Sequence, residues 1–310
     1  MNYDKNSFLA GVSVGRTLKG WATAGGTNPV VPGGDIDKLI DGTITTVNSD
    51  VKTVRPYAFY GTGSDIEQGL VSVSMKNVTM IKEYAFHDCQ ALSSVIIPSI
   101  RWIGDYAFEY TTSLKSINAP ELYDIGRGSF KDSGIESLYA PQLASINEYA
   151  FIESGIKSLN HPNVTSVGQH AFENCTALSD ISIPAVTTIY THAFNGCTAI
   201  SEVSFKSLES VDSYAFNKCT SLSKADMGNI CLCLSSRLFY GCSALDTLIL
   251  RRTSGDIRLT SSALTGTKIA SGNGYIYVPA SMISTYQSDS TWSKYTSQFR
   301  AIEDYPDICG

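Results

Sequence analysis

The chain has 310 residues, a formal net charge of −6 at pH 7, 43% hydrophobic residues and 17% charged residues. That balance excludes a disordered polyelectrolyte, and nothing in it supplies the basic surface that a nucleic-acid partner requires. No apolar run reaches the ~18 residues of a membrane-spanning helix, so neither nucleic acid nor a membrane span enters the reading.

Residues 1–21 read as an amphipathic helix with Phe8, Leu9, Val12, Leu18 and Trp21 as its apolar positions. Gly11 and Gly15 weaken it by about 1 kcal/mol each. It lacks a basic start followed by a continuous apolar stretch, so no signal peptide is expected. Residues 22–35, ATAGGTNPVVPGGD, have the Gly and Pro content of a linker. A first irregular strand pair is expected over residues 39–47.

From there one phrase recurs. Its fixed Phe stands at Phe59, Phe86, Phe108, Phe130, Phe151, Phe172, Phe194, Phe216 and Phe239, at intervals of 27, 22, 22, 21, 21, 22, 22 and 23. A period in this range predicts a solenoid, whose coils bury their apolar faces only by stacking. In the coil 167–188, the run from Leu178 to Ile183 alternates inward and outward as a strand does. Pro184 ends it, since Pro cannot donate to the ladder. Residues 185–189 make a second short strand at the back, and the segment around Phe172 is a tight bend or one helical turn. The inward set is Val167, Ala171, Phe172, Cys175, Leu178, Ile181 and Ile183. Two coils are one residue shorter at the turn, where Gly134 and Gly155 permit a tighter backbone. The first coil carries about five extra residues in a surface loop. After Arg251 the phrase fades. Residues 274–279 read as a last strand, and the following segment to Tyr305 as a helix that closes the open end of the core.

The expected fold is therefore a mainly β solenoid of about nine ~22-residue repeats, with a parallel sheet on one face, short turns and terminal caps. The expected divisions are residues 1–21 as anchor helix, 22–35 as linker, 36–268 as solenoid and 269–310 as strand–helix cap.

Cys89, Cys175, Cys197, Cys219 and Cys242 each fall three residues after the repeat Phe, in a slot held elsewhere by Thr62, Thr111, Ser133 and Ser154. A slot that takes Cys, Thr or Ser points to free, buried thiols rather than bridges. Cys231 and Cys233 form a lone C-x-C with no second pair at zinc spacing. His170 and His192 replace a Tyr of the phrase, His161 takes an inward strand position, and His87 is expected to face solvent. No Ser or Cys nucleophile sits at a known spacing from a base. No catalytic residue, metal site or cofactor is expected.

The residues that point outward from the front strands are the candidates for binding. By coil they run from Ser72 and Ser74 through Ser94 and Ile96, Ser116 and Asn118, Ser137 and Tyr139, Ser158 and Asn160, Asp180 and Ser182, Glu202 and Ser204, Lys224 and Asp226, to Thr247 and Ile249. The central stretch is small and polar, with Tyr139 its sole aromatic and a candidate anchor for a protein or a cell-surface glycan. Charge gathers in the later coils.

The wording I-G-x-Y-A-F-x-x-C-x-x-L-x-x-V-x-x-P resembles the BspA-like class of bacterial leucine-rich repeats. Residues 103–108 and 167–175 are its clearest copies, and the likeness covers about residues 36 to 280. The C-terminal stretch YIYVPASMISTYQSDSTWSKY resembles the end cap of that class. The resemblance implies non-catalytic binding or adhesion. Residues 6–21 also resemble, over a shorter stretch, openings of prophage-encoded structural proteins. That second likeness implies a phage or prophage component docked to a larger assembly through residues 1–21, hence a virion or particle location. A secreted cell-surface adhesin and a purely structural spacer are the alternatives.

Overall fold

The computed structural model describes residues 46–48, 52–61, 69–230, 233–255, 258–260 and 262–310. The expected anchor helix and linker lie outside these residues. The chain divides into two compact units, Met1–Ala140 and Pro141–Gly310. Each is a parallel β-solenoid with repeats of about twenty-two residues.

In the first unit the front strands Thr46–Asn48, Ser72–Ser74 and Ser94–Ile96 pair in parallel, as do Ser116–Asn118 and Ser137–Tyr139. The two-residue back strands Thr53–Val54, Met80–Ile81, Trp102–Ile103 and Asp124–Ile125 form one parallel sheet. In the second unit Ser158–Asn160 pairs with Asp180–Ser182, and Glu202–Ser204, Lys224–Asp226, Thr247–Ile249, Tyr275–Val278 and Phe299–Ala301 make a five-stranded parallel sheet. The back strands Ser145–Ile146, Ser166–Val167, Thr188–Ile189 and Ser210–Val211 form another parallel sheet, and Cys233–Leu234 pairs with Arg258–Leu259.

The repeat Phe residues fill the interior of both units and stack ring on ring. Centroids lie 5.0, 5.1 and 5.5 Å apart from Phe59 to Phe130, and 5.2, 5.3, 5.2 and 5.7 Å apart from Phe151 to Phe239. Each ring is at most 1% exposed. The inward set of the coil 167–188 is buried except Ile181, which is half-buried. The thiols are free and buried, as their slot implied. Each donates to the Phe carbonyl of the preceding coil: Cys89 to Phe59, Cys175 to Phe151, Cys197 to Phe172, Cys219 to Phe194 and Cys242 to Phe216, at 2.9–3.2 Å. Thr111 and Ser133 instead cap the Phe carbonyl of their own coil at 2.7 Å. The side chains of Cys231 and Cys233 lie outside the described residues.

Each bend carries two residues in the left-handed region, a feature absent from the sequence reading. One precedes the Phe by two positions (Tyr57, Tyr84, Tyr106, Gly128, Tyr149, His170, His192, Tyr214, Arg237) and one follows it by two (Gly61, Asp88, Tyr110, Asp132, Glu153, Asn174, Gly196, Lys218, Gly241). The bends are turns, with no helix. A non-Gly residue held there costs energy that only the surrounding ladder can offset. The Phe N–H bonds across coils supply it, such as Phe172 to the Ala193 carbonyl at 2.8 Å. Gly134 serves a different need from the one expected. Its φ is not left-handed, but a Cβ there would lie 1.9 Å from the Thr112 carbonyl oxygen.

In the C-terminal region one expectation is extended and one is corrected. The repeat continues for a tenth coil: Leu264 takes the Phe slot, its neighbour Ala263 accepts the Phe239 N–H at 2.9 Å, and Thr267 caps the Leu264 carbonyl at 2.8 Å. The cap is not one long helix. It is a helix over Ile283–Ser288, a 3-10 turn over Ser293–Gln298, the strand Phe299–Ala301 and a four-residue helix over Pro306–Cys309. Tyr286, Trp292, Tyr295 and Phe299 from this segment are buried together.

Candidate functional site

The front strands pair in parallel within their own sheets, and their outward side chains are the candidates for meeting a partner. In the first unit Ser116 stands opposite Ser137 and Asn118 opposite Tyr139. Ser94 and Ile96 stand opposite Ser72 and Ser74. The outward residues Ser94, Ile96, Ser116, Asn118, Ser137 and Tyr139 are all exposed. Tyr139 is 60% exposed and Ile96 50%. Hydroxyls and an amide thus surround two large side chains that hold apolar surface in water.

In the second unit Ser158 faces Asp180 and Asn160 faces Ser182. Glu202 faces Lys224, placing opposite charges on neighbouring strands. Asn160, Asp180, Ser182, Glu202 and Ser204 are exposed, whereas Ser158 and Lys224 are half-buried. Asp226 departs from the expectation, being only 2% exposed. Arg251 clamps its carboxylate with Nε at 3.0 and 2.9 Å and Nη2 at 2.6 Å, and the Gly228 N–H adds a bond at 3.2 Å. That hydrogen-bonded pairing holds the Arg251 guanidinium above its ordinary pKa. Asp226 is therefore a structural anion and not a free binding group. Ile249, expected outward on the surface, is also buried, under residues from the chain's last segment.

The histidines belong to ladders. His170 and His192 stack at 4.7 Å between Tyr149 at 4.9 Å and Tyr214 at 4.6 Å, continuing as imidazoles the role of Tyr57, Tyr84 and Tyr106 in the first unit. Glu173 bonds His170 Nδ1. Burial, and then the neighbouring His170, hold His192 below its ordinary pKa. His161 is buried, as its inward slot implied. His87 does not face solvent. It stacks on Tyr60 at 4.5 Å and meets Glu109 at 3.1 Å, with Lys131 on the other Glu109 oxygen at 2.7 Å. Burial alone would raise the Glu109 carboxyl, but the bonds from His87 and Lys131 bring it below its ordinary value.

Among the described residues no three metal-ligating side chains converge. The interior thiols are poor nucleophiles, since burial pushes Cys175 up to about 12 and Cys197 and Cys219 well above the ordinary thiol value. No helix of the described residues is long and apolar enough to cross a membrane.

Several solved structures are similar to this chain. A leucine rich cell surface protein of Faecalibacterium prausnitzii A2-165 is 19% identical, with 83% of this chain and 82% of that one covered and a TM-score of 0.38. The T. pallidum leucine rich repeat protein is 22% identical, with 66% and 79% covered and a TM-score of 0.37. The pneumococcal vaccine antigen PcpA is 14% identical, with 83% and 76% covered and a TM-score of 0.39. No curated protein matches the sequence. The BspA type leucine rich repeat region, a model of six copies, matches residues 42–157 and 144–261. The two matches run without a gap through every coil from the first Phe to the ninth, and the chain belongs to the BspA type leucine-rich repeat family.

Proposed function

We propose that this chain is a non-catalytic binding protein of the bacterial cell-surface adhesin kind, and that the outward front face of its first unit meets a protein or glycan on another surface. The observation that carries the reading is Tyr139, 60% exposed on a front strand that pairs with Ser116–Asn118. An aromatic side chain held in water on a rigid sheet keeps apolar surface that only a partner can bury, and Tyr is among the residues enriched at binding hot spots. Ile96 adds aliphatic area, and the hydroxyls of Ser94, Ser116 and Ser137 offer hydrogen bonds around it. The family supports a binding repeat protein, and the similar structures named above include a cell surface protein and a vaccine antigen, in keeping with the adhesin reading.

A glycan array and a whole-cell binding assay, run with the wild-type chain and with Tyr139→Ala, test the reading. The expected result is saturable binding by the wild type and a loss of about tenfold or more in the variant, the size of a hot-spot contact. Equal binding by both would move the site off this face. No binding by the wild type to any surface would favour a structural spacer.

A further inference from the structure

The outward positions of the front strands are polar or charged through most of the second unit, yet in its last turns they become Ile249 and Tyr277, which stand opposite each other. Both are buried, at 0% and 3% exposure. They do not face the coil interior, where their neighbours Leu248 and Ile276 point. What covers them is the chain's own last segment: Cys309 packs on the pair, Ile302 and Ile308 lie half-buried against it, and the Tyr305 ring meets Tyr277 edge-on at 5.3 Å. Arg251, already clamped to Asp226, also donates to the Cys309 carbonyl, and Lys206 Nζ donates to the Gly310 carbonyl at 3.0 Å.

This second apolar contact is separate from the closure of the inner core. Tyr286, Trp292, Tyr295 and Phe299 complete that closure before residue 302 is reached. The covering segment is short, and besides these contacts its Glu303 accepts the Ala280 N–H at 3.0 Å. Its helix has four residues and no side-chain cap, so it has no stability of its own and keeps its shape only while docked. A cleft of about 220 Å³ opens between sheet and segment, lined by Ile181, Glu202, Lys224, Asp226, Arg251 and Ile308.

We propose that residues 302–310 are a displaceable strap over a peptide-docking site on the outer face of the last front strands. The partner it fits is a peptide segment that brings aliphatic side chains to Ile249 and Tyr277 and a backbone carbonyl to Arg251. The strap itself displays that chemistry, because the face holds it by those two kinds of contact. Occupied in cis, the site is closed. A partner peptide gains access in proportion to the fraction of chains whose strap is off. The inference rests on the second unit alone and stands or falls apart from the role of Tyr139.

The test uses the intact chain and an N-terminally fluorescein-labelled peptide with the sequence of residues 302–310, followed by anisotropy. Ile308→Glu places a charge under the strap and leaves the sheet untouched. Its affinity for the peptide is expected to exceed that of the wild type by about tenfold or more. Adding Arg251→Lys should remove most of the gain, since lysine keeps a cation beside Asp226 but lacks the planar fork that also reaches the Cys309 carbonyl. Tyr305→Ala loosens the strap at a second point and should give the same gain if Ile308→Glu fails to fold. Equal affinity of the folded loosened chains and the wild type, or no binding by either, would overturn the proposal. So would concentration-dependent dimerisation of the loosened chains without peptide binding, which would make the occupant a second copy.

Discussion

Replacing Phe172 by Ala removes an interior ring of the Phe stack in the second unit. The ring is fully buried and lies 5.2 Å from Phe151 and 5.3 Å from Phe194. Returning its surface to water costs about 2–3 kcal/mol. Two lost ring–ring contacts add roughly 0.5–1.5 kcal/mol each. The gap cannot close by collapse, because the Phe172 backbone is pinned on both sides: its N–H bonds the Ala193 carbonyl at 2.8 Å and its carbonyl accepts from Cys197 at 2.9 Å. The expected loss is therefore about 3–5 kcal/mol, the range seen for large-to-small core changes. Urea unfolding followed by circular dichroism measures it, with Tyr139→Ala as a surface control expected within about 0.5 kcal/mol of wild type. A Phe172→Ala loss below about 1 kcal/mol would refute the interlocked stack.

Other outcomes follow from the same contacts. Gly104→Ala should cost about 1–3 kcal/mol by overpacking, because its Cβ would meet the Glu83 nitrogen at 2.7 Å and the Lys82 carbonyl carbon at 2.8 Å, both backbone atoms of the preceding coil. Iodoacetamide at pH 8, read by mass spectrometry, should leave Cys89, Cys175, Cys197, Cys219 and Cys242 unlabelled until the chain unfolds, since all five are buried hydrogen-bond donors. The pKa of His192 lies below its ordinary 6.5 in the fold, so the unfolded chain binds the extra proton first. Stability is then full above the unfolded value and declines as pH falls through it towards the lower folded value. Urea midpoints between pH 5 and 7.5 should show this decline, and His192→Tyr, which restores the ring used in other coils, should flatten it. Glu109 acts in the same direction lower on the scale: its folded pKa is below the ordinary 4.5, so its contribution is lost as pH falls below that value. Glu109→Gln should reduce the steepness of acid unfolding.

Much of the fold was legible because one residue type repeats at one spacing. The Phe period located nine bends, and the shared Cys, Thr and Ser slot announced buried, unbridged thiols. The left-handed residues escaped notice because Tyr, His, Asp and Lys hold them. The available signal was Gly128 among the Tyr residues and Gly61, Gly196 and Gly241 among the others, glycine alternating with side chains at one repeat position. The tenth coil was hidden because Leu264 replaces Phe and the Tyr-Ala step is absent. The outward rows were read correctly where the face is open, as at Ser94 through Ser137. They failed at Asp226 and Ile249, because no local pattern shows that a segment far along the chain folds back over them. His87 was misplaced for a related reason, since its partners Tyr60, Glu109 and Lys131 come from neighbouring coils.

The register of the coils is what lines the outward residues up, and disulfide trapping measures it directly. Cα atoms of partners on adjacent parallel strands lie about 4.8 Å apart, within the span a disulfide bridges. Ser116 and Ser137 are such partners and both are exposed. Ser116→Cys with Ser137→Cys should oxidise rapidly to an intramolecular bridge. Ser116→Cys with Tyr139→Cys, offset by two residues and so about 8 Å apart, should not. A bridge in the offset pair, or none in the aligned pair, would contradict the stacking from which the proposed binding face is built.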